Sequence, residues 1–407
     1  MAAVDSVLAG TDKTLVWQEE FYRQLHQNPE LSLQEVKTAA EVTRRLESFG
    51  YDVHQVGGGV VGVLANGEGR TVLARADMDA LPVTEATGLA YASTTTAVDA
   101  QGSTVGVMHA CGHDMHVAAA LGAAHLLAAG REAWSGTYVA LFQPAEEIAA
   151  GAKAMVEDGL VRRVPRPDVA FAQHVLTTPQ AGHVATAAGP VLSAGDSIRI
   201  TVFGTGSHGS MPHLSVDPVL IAASIVVRLQ SIVAREISPA DFAVVTVGSL
   251  QAGAKSNIIP DQAVLLVNVR TYDTAVRDAV VGAIERIVRA ECAAGRSPRD
   301  PAFEYYDHYP LTVSDPDVTS LITAAFTDHF GPDRVHHLDR VPASEDFSVI
   351  PDAFGVPYAY WGFGGFLPDA PIHPNHSPAF APAIQPTLRT GTHALVVAAM
   401  AFLGEDV

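Results

Sequence analysis

Eight residues form the chain's densest cluster of coordinating side chains. His109-Ala-Cys111-Gly-His113-Asp114-Met-His116 sets three imidazoles, a thiol and a carboxylate side by side, in a chain of 407 residues with 17 histidines and two cysteines. Thiolate and neutral imidazole are favoured donors for zinc-like ions, and a cysteine sulfur can bridge two of them. The glycine between Cys111 and His113 lets the backbone turn so that both side chains converge. Two other readings stand beside metal ligation: Cys111 as a nucleophile paired with His113, and a helix-capping loop that carries surface histidines.

Further candidates lie where apolar runs end. Gln143-Pro-Ala-Glu146-Glu147 follows one such run. On an extended segment neighbouring side chains point to opposite sides, so one glutamate would hold a metal while the other faces the substrate. A solvated acidic pair at a helix start is the alternative. His174 follows a second run, and Asp77 and Asp79 follow a third. The loop His373-Pro-Asn-His376-Ser-Pro offers one more imidazole on a stiff backbone, and Ser344-Glu345-Asp346-Phe347 adds acids. Parallel α/β sheets gather their sites at the carboxyl ends of strands, which gives these scattered residues one place to meet.

The elements that position them alternate in type. Leu15–His26 reads as a helix, with Trp17, Phe21 and Leu25 at a spacing of four. Ser32 and Glu35 read as a capping box for a second helix ending at Phe49, before Gly50. Strands are expected at Val60–Ala65, Thr71–Ala76, Tyr138–Phe142 and Val169–Ala172, with helices at His116–Ala129 and Ala149–Glu157. This predicts a helix-covered, mainly parallel α/β sheet for the catalytic domain. From Gly189 the order changes: strand 197–203, helix from Asp217-Pro218 to near Arg235, strands 243–250 and 263–271, helix 275–292 and strand 302–309. That βαββαβ order is an inserted α+β domain. The chain then returns to the first domain and supplies a final helix, Gln385–Phe402. The expected division is 1–188, 189–309 and 310–407, the first and last parts forming one catalytic domain. Trp361-Gly-Phe363-Gly-Gly365 either lines an apolar pocket or packs in the core.

Composition narrows the partners. Forty-four acidic against 25 basic residues give a net charge of −19, which argues against nucleic acid. The apolar stretch Val117–Gly130, broken by His125, is too short to span a bilayer, so no membrane is expected. The start, MAAVDSVLAG, lacks a basic n-region and a hydrophobic h-region, and a cytoplasmic location is the expectation. Two cysteines about 180 positions apart are no disulfide framework; Cys292, in a helical run, reads as an inert buried thiol.

Together these motifs resemble the M20 metallopeptidase family, in particular its amidohydrolase branch of hippurate hydrolases, aminoacylases and indole-acetyl-amino-acid hydrolases. The match extends over nearly the whole chain. It includes Leu25 to Ser32, Ala76 to Pro82, His109 to His116, Gln143 to Glu147, Gly206 to His213, Asn257 to Pro260, Val269 to Asp273, Ser344 to Phe347 and His376 to Pro378. The resemblance implies hydrolysis of the amide bond of N-acyl amino acids, with two divalent ions per subunit. Zn²⁺ is the expected ion, and Mn²⁺, Co²⁺ or Ni²⁺ could share its frame. Cys111 resembles the thiolate bridging the ions, with His113 and His174 completing one and Glu147 and His376 the other. Glu146 matches the general acid/base and Asp79 an orienting acid. Asp77 stands where other branches carry a histidine ligand. The inserted domain resembles a lid and dimerisation domain, in which His208 would stabilise the oxyanion while Asn257 and Arg270 bind substrate. A homodimer acting on a small molecule follows from the likeness. A dipeptidase or exopeptidase on the same scaffold, or an inactive binding homologue, is the alternative.

Overall fold

The computed structural model describes residues 2–403. The chain divides into two units: one holds the residues up to Val191 together with Val313–Asp339 and those from Asp346 on, and the other Leu192–Thr312 with Arg340–Glu345.

An eight-stranded sheet organises the first unit. Its strands lie in the order Asp52–Val56, Gly59–Asn66, Gly136–Gln143, Thr71–Asp77, Val169–Ala181, Tyr358–Gly364, Val184–Thr186 and Val335–His337. The middle four pair in parallel, and antiparallel pairing appears toward both edges. The helix His113–Ala129 covers one face. All its residues from His113 to Ala124 are buried, because it packs at once on Thr11–Gln27, on the final helix Ile384–Leu403 and on Thr71–Asp77. Alanine and glycine permit that approach: Gly122 lies beneath the side-chain amide of Gln18, where a Cβ would collide. Gln18 in turn donates to the Ala118 carbonyl at 2.6 Å and to Thr392 at 2.8 Å.

Several sequence expectations need correction. The capping box is absent. The second helix spans Val36–Ser48 with no side-chain cap, Ser32 donates to Asp79 at 2.7 Å, and Glu35 accepts from the Ala145 N–H at 2.7 Å. Tertiary partners outbid the local motif. The strand expected to stop at Ala172 runs to Ala181, so His174 stands within it. Trp361 and Phe363 sit in the wholly buried strand Tyr358–Gly364 and pack in the main core rather than lining a pocket.

The second unit is a four-stranded antiparallel sheet in the order Ala243–Ala252, Gln262–Thr271, Ala194–Phe203, Ala302–Tyr309. Helices Pro218–Leu229 and Thr274–Ala294 contribute Ile221, Ile225, Ile284 and Val288 to a core of their own. Asp217 and Asp273 cap them, accepting from Val219 and Val276. The first helix is interrupted at Gln230 and resumes over Ser231–Arg235. Among the described residues, Pro218–Arg235 is the one helical stretch long and apolar enough to cross a membrane by length and composition, but Ile221, Ile225, Leu229 and Ile232 are spent on the unit's own core.

Asp196 staples this unit together. Arg277 grips its carboxylate at 2.6 and 2.7 Å and His308 approaches at 2.8 Å, joining two strands and a helix. Burial acts to raise its pKa, but the hydrogen bonds from His308 and Arg277 prevail and hold it at about 2. A depressed carboxyl pKa stabilises above the ordinary value of 3.8, and that stability drains away as pH falls through about 2. Asp196→Asn should therefore lower the urea midpoint at pH 6, and the gap from the parent should shrink as pH falls through that window. A gap that stays constant down to pH 2 would contradict the assignment.

Candidate metal centre

The loop at the head of the buried helix sets the first two donors. Gly112, at φ 84°, caps the helix; a Cβ there would strike Val175, so the tight turn that brings Cys111 beside His113 requires glycine. The expected helix start at His116 is three residues late, and His113 rides on the first turn. Its Nδ1 lies 2.9 Å from the Asp79 carbonyl and 3.1 Å from Asp79 Oδ1. An N–H committed there leaves the Nε2 lone pair facing the centre, buried and without a well-formed hydrogen bond.

The two glutamates do not alternate as an extended segment would. Ala145 and Ala149 adopt φ 48° and 51°, and the N–H groups of Ala150 and Gly151 return to the Ala145 carbonyl, so Gln143 to Gly151 curls into a turn. Both carboxylates then face His113 Nε2, Glu147 at 3.8 Å and Glu146 at 4.0 Å. The Glu147 N–H donates to Asp79 Oδ2 at 3.0 Å, and its own carboxylate reaches His376 Nε2 at 3.4 Å. Burial, with His113 opposing and Asp79 and Asp77 adding, pushes Glu147 up to about 8.

His174 enters from the central strand. Pairing with Thr71–Asp77 stops at Arg75 and Ala172, and beyond that point the strand borders the centre. His174 Nδ1 donates to the Val175 carbonyl at 2.7 Å, which turns Nε2 to Cys111 Sγ at 3.4 Å. His376 arrives from the loop before the final helix, in the left-handed region at φ 68° and anchored by its N–H to the Ala110 carbonyl at 2.8 Å. Its neighbour Asn375, which sequence reasoning passed over, sends Nδ2 to within 3.5 Å of Cys111 Sγ. The signal was its place inside the singled-out His373–Pro378 loop.

Other members of the motif cluster are structural. His116 uses both ring nitrogens, Nδ1 on Asp77 at 2.6 Å and Nε2 accepting from the Val175 N–H at 2.8 Å. Asp77 is held on its other oxygen by Arg75 at 2.6 Å. Arg75 also bonds Gln143 at 2.9 Å, and Gln143 donates to Asp346 at 2.6 Å, which accounts for one of the acids in the Ser344–Phe347 motif. Burial lowers the His109 imidazole to about 4, and among the described residues neither of its ring nitrogens has a hydrogen-bond partner.

Of the groups whose ligand atoms lie within 4.8 Å of one another, two contain Cys111: Cys111, His113 and His174, and Cys111, Glu147 and His376. They share one sulfur. Mixed S, N and O donors of this kind suit divalent ions of the zinc class, and the orphaned His113 Nε2 and Glu147 Oε1 are what such ions would satisfy. The same surroundings oppose Cys111 as a free nucleophile: burial and the field of Glu147 push its thiol up to about 12, whereas nucleophilic cysteines need a lowered pKa. Cys292 is also buried, in the helix Thr274–Ala294.

The remaining candidates belong to the second unit. His208 lies on a short strand paired with Ile258–Ile259, beside Asn257, whose carbonyl accepts from the Gly209 N–H at 2.8 Å. Arg270 sits on Gln262–Thr271, its guanidinium held by Asn268 at 2.9 Å and by the Ser344 hydroxyl.

The family model described as peptidase family M20/M25/M40 matches residues 73–401. Thermostable carboxypeptidase 2 of Saccharolobus solfataricus is 36% identical over 370 residues, covering 89% of this chain and 90% of that protein. The hippurate hydrolase of Campylobacter jejuni is 36% identical over 348 residues, with 84% and 87% covered. Among solved structures, the Bacillus subtilis YXEP protein, described as a dinuclear metal binding peptidase from the M20 family, superposes with a TM-score of 0.78 at 29% identity, covering 96% of this chain and 99% of that one.

Asp79 orients His113 and the Glu147 backbone and belongs to neither donor set. Asp79→Asn keeps the shape and removes the charge, and it should weaken Zn²⁺ binding about 10–100-fold in competition with a chelator. Unaltered affinity would remove Asp79 from that role.

Proposed function

The chain belongs to peptidase family M20/M25/M40 and is a hydrolase, and from that premise we propose a two-metal amidohydrolase that splits N-acyl amino acids into a carboxylic acid and a free amino acid. The observation that carries this reading is the single sulfur of Cys111 common to two donor sets, with Glu146 beside both. The relatives named for hydrolysis of hippurate and for deacetylation of N-acetyl-L-cysteine support an acylated amino acid as substrate. Zn²⁺ is the ion we propose, since thiolate, imidazole and carboxylate together fit it best.

Cys111, His113 and His174 would hold one ion, and Cys111, Glu147 and His376 the other. Ions in those places supply the positive charge that acidifies a water and polarises the scissile carbonyl. Glu146 accepts the proton of the attacking water and returns it to the departing nitrogen. Its turn, tied through Ala145 to Glu35, keeps that carboxylate beside His113 rather than in solvent. His208 meets the oxyanion, and Asn257 and Arg270 hold the carboxylate of the substrate. We further propose a homodimer through the second unit. The edge strand Ala243–Ala252, with Val244 and Leu250 exposed, and the uncovered Leu220 and Val227 on the adjacent helix support it. A cytoplasmic location is part of the proposal, supported by two free thiols.

The relative named a carboxypeptidase favours a second reading on the same centre, removal of a C-terminal residue from peptides. Comparing N-acyl amino acids with free-amine dipeptides on the zinc-loaded protein separates the two.

Glu146→Gln should retain both ions by elemental analysis while kcat falls about 10²–10⁴-fold, and Cys111→Ala should lose metal on dialysis. A Cys111→Ala protein with full metal content and activity would sink the reading. Mixed dimers of His208→Ala and Glu146→Gln chains should regain activity if His208 acts across subunits, and failure to regain it would confine the site to one chain.

A further inference from the structure

We propose that Asn375 is a positioning residue for the shared sulfur, its side-chain amide donating to Cys111 and steadying the thiolate between the two ions. The inference rests on the two-ion reading above. Asn375 Nδ2 stands 3.5 Å from Cys111 Sγ and 3.4 Å from the Cys111 carbonyl oxygen. Both neighbours are acceptors, so it is the NH₂ end of the amide that faces them. One N–H on the carbonyl and one on the sulfur would fix the cysteine's backbone and its side chain together.

His174, 3.4 Å from the sulfur, cannot do this. His174 gives its Nδ1–H to the Val175 carbonyl and so presents a lone pair at Nε2; the thiol's own proton occupies that contact while the cysteine is protonated. Once the sulfur is a thiolate shared by ions, that Nε2 is a ligand and donates nothing. Asn375 still does. A hydrogen bond to a ligating sulfur withdraws charge from it and limits its motion, which tunes metal affinity and the energy of the sulfur's donor orbital.

The loop is built to hold the amide there. Ser377 N–H donates to the Pro374 carbonyl at 3.1 Å, Phe380 N–H to the Ser377 carbonyl at 3.0 Å, and Phe380 itself is buried. Adjacent residues thus serve adjacent tasks, His376 toward an ion and Asn375 toward the sulfur.

The test uses the full chain reconstituted with Co²⁺, whose thiolate charge-transfer absorption reports directly on the sulfur. Asn375→Asp keeps size and removes the donors, and Asn375→Leu removes polarity altogether. Both variants should shift the absorption to longer wavelength and lose cobalt to a chelator about 10–100-fold faster than the parent. An Asn375→Asp protein with the parent's spectrum and release rate overturns the proposal while leaving the two-ion site intact. A parent whose cobalt spectrum shows no band abolished by Cys111→Ser overturns the site reading, and the role of Asn375 with it.

Discussion

Two of the donors at the candidate metal centre, His113 and Glu147, are referred to the carboxylate of Asp79. A buried charge is costly unless its lone pairs are filled, and Asp79, 1% exposed, is filled by the Ser32 hydroxyl, the Glu147 backbone and the His113 ring. These donors come from three segments far apart in the chain. Satisfying one anion therefore sets the rotation of an imidazole, the height of a glutamate-bearing turn and the path of the segment before the second helix. For His113 and Glu147, the donor atoms that face the centre are those left over once Asp79 has been satisfied.

A second polar layer supports the first. Arg75, wholly buried, joins Asp77 to Gln143 and lies 3.5 Å from Asp346, and His116 carries the connection on to the Val175 backbone. Removing one partner of such a buried pair generally costs about 3–5 kcal/mol, because the survivor keeps its charge and loses its compensation. The residues beneath the proposed ligands are thus as constrained as those ligands, although they belong to neither donor set that contains Cys111.

Much of this was legible in the residue types. The density of sulfur and imidazole between His109 and His116, and the polar residues at the ends of apolar runs, pointed to a centre at the carboxyl edge of a parallel sheet. The βαββαβ order of the second unit followed from its alternating patterns. Other features were set by partners distant in sequence. Nothing local marks Ala145 for the left-handed region, so Glu146 and Glu147 read as opposed when they are neighbours. Ser32 and Glu35 satisfy the spacing of a capping box, yet Asp79 and the Ala145 N–H are better placed to use them. Trp361 and Phe363 carry no periodicity that separates a buried strand from a pocket wall. Asn375 was hidden because an amide beside a histidine announces nothing until the fold lays it against a sulfur.

The discontinuity of the first unit bears on how the protein is made. The second unit draws on one continuous stretch, Leu192–Thr312, apart from Arg340–Glu345, and its four-stranded sheet and the helices packed on it are complete while later parts of the chain are still unsynthesised. The first unit must wait for Tyr358–Gly364, the central strand beside Val169–Ala181, and for the final helix that seals the buried one. Domains tend to fold as units in the order they emerge. On a ribosome the second unit would mature first, and Cys111, His113, Glu147 and His174 would wait for His376, which follows that unit in the chain.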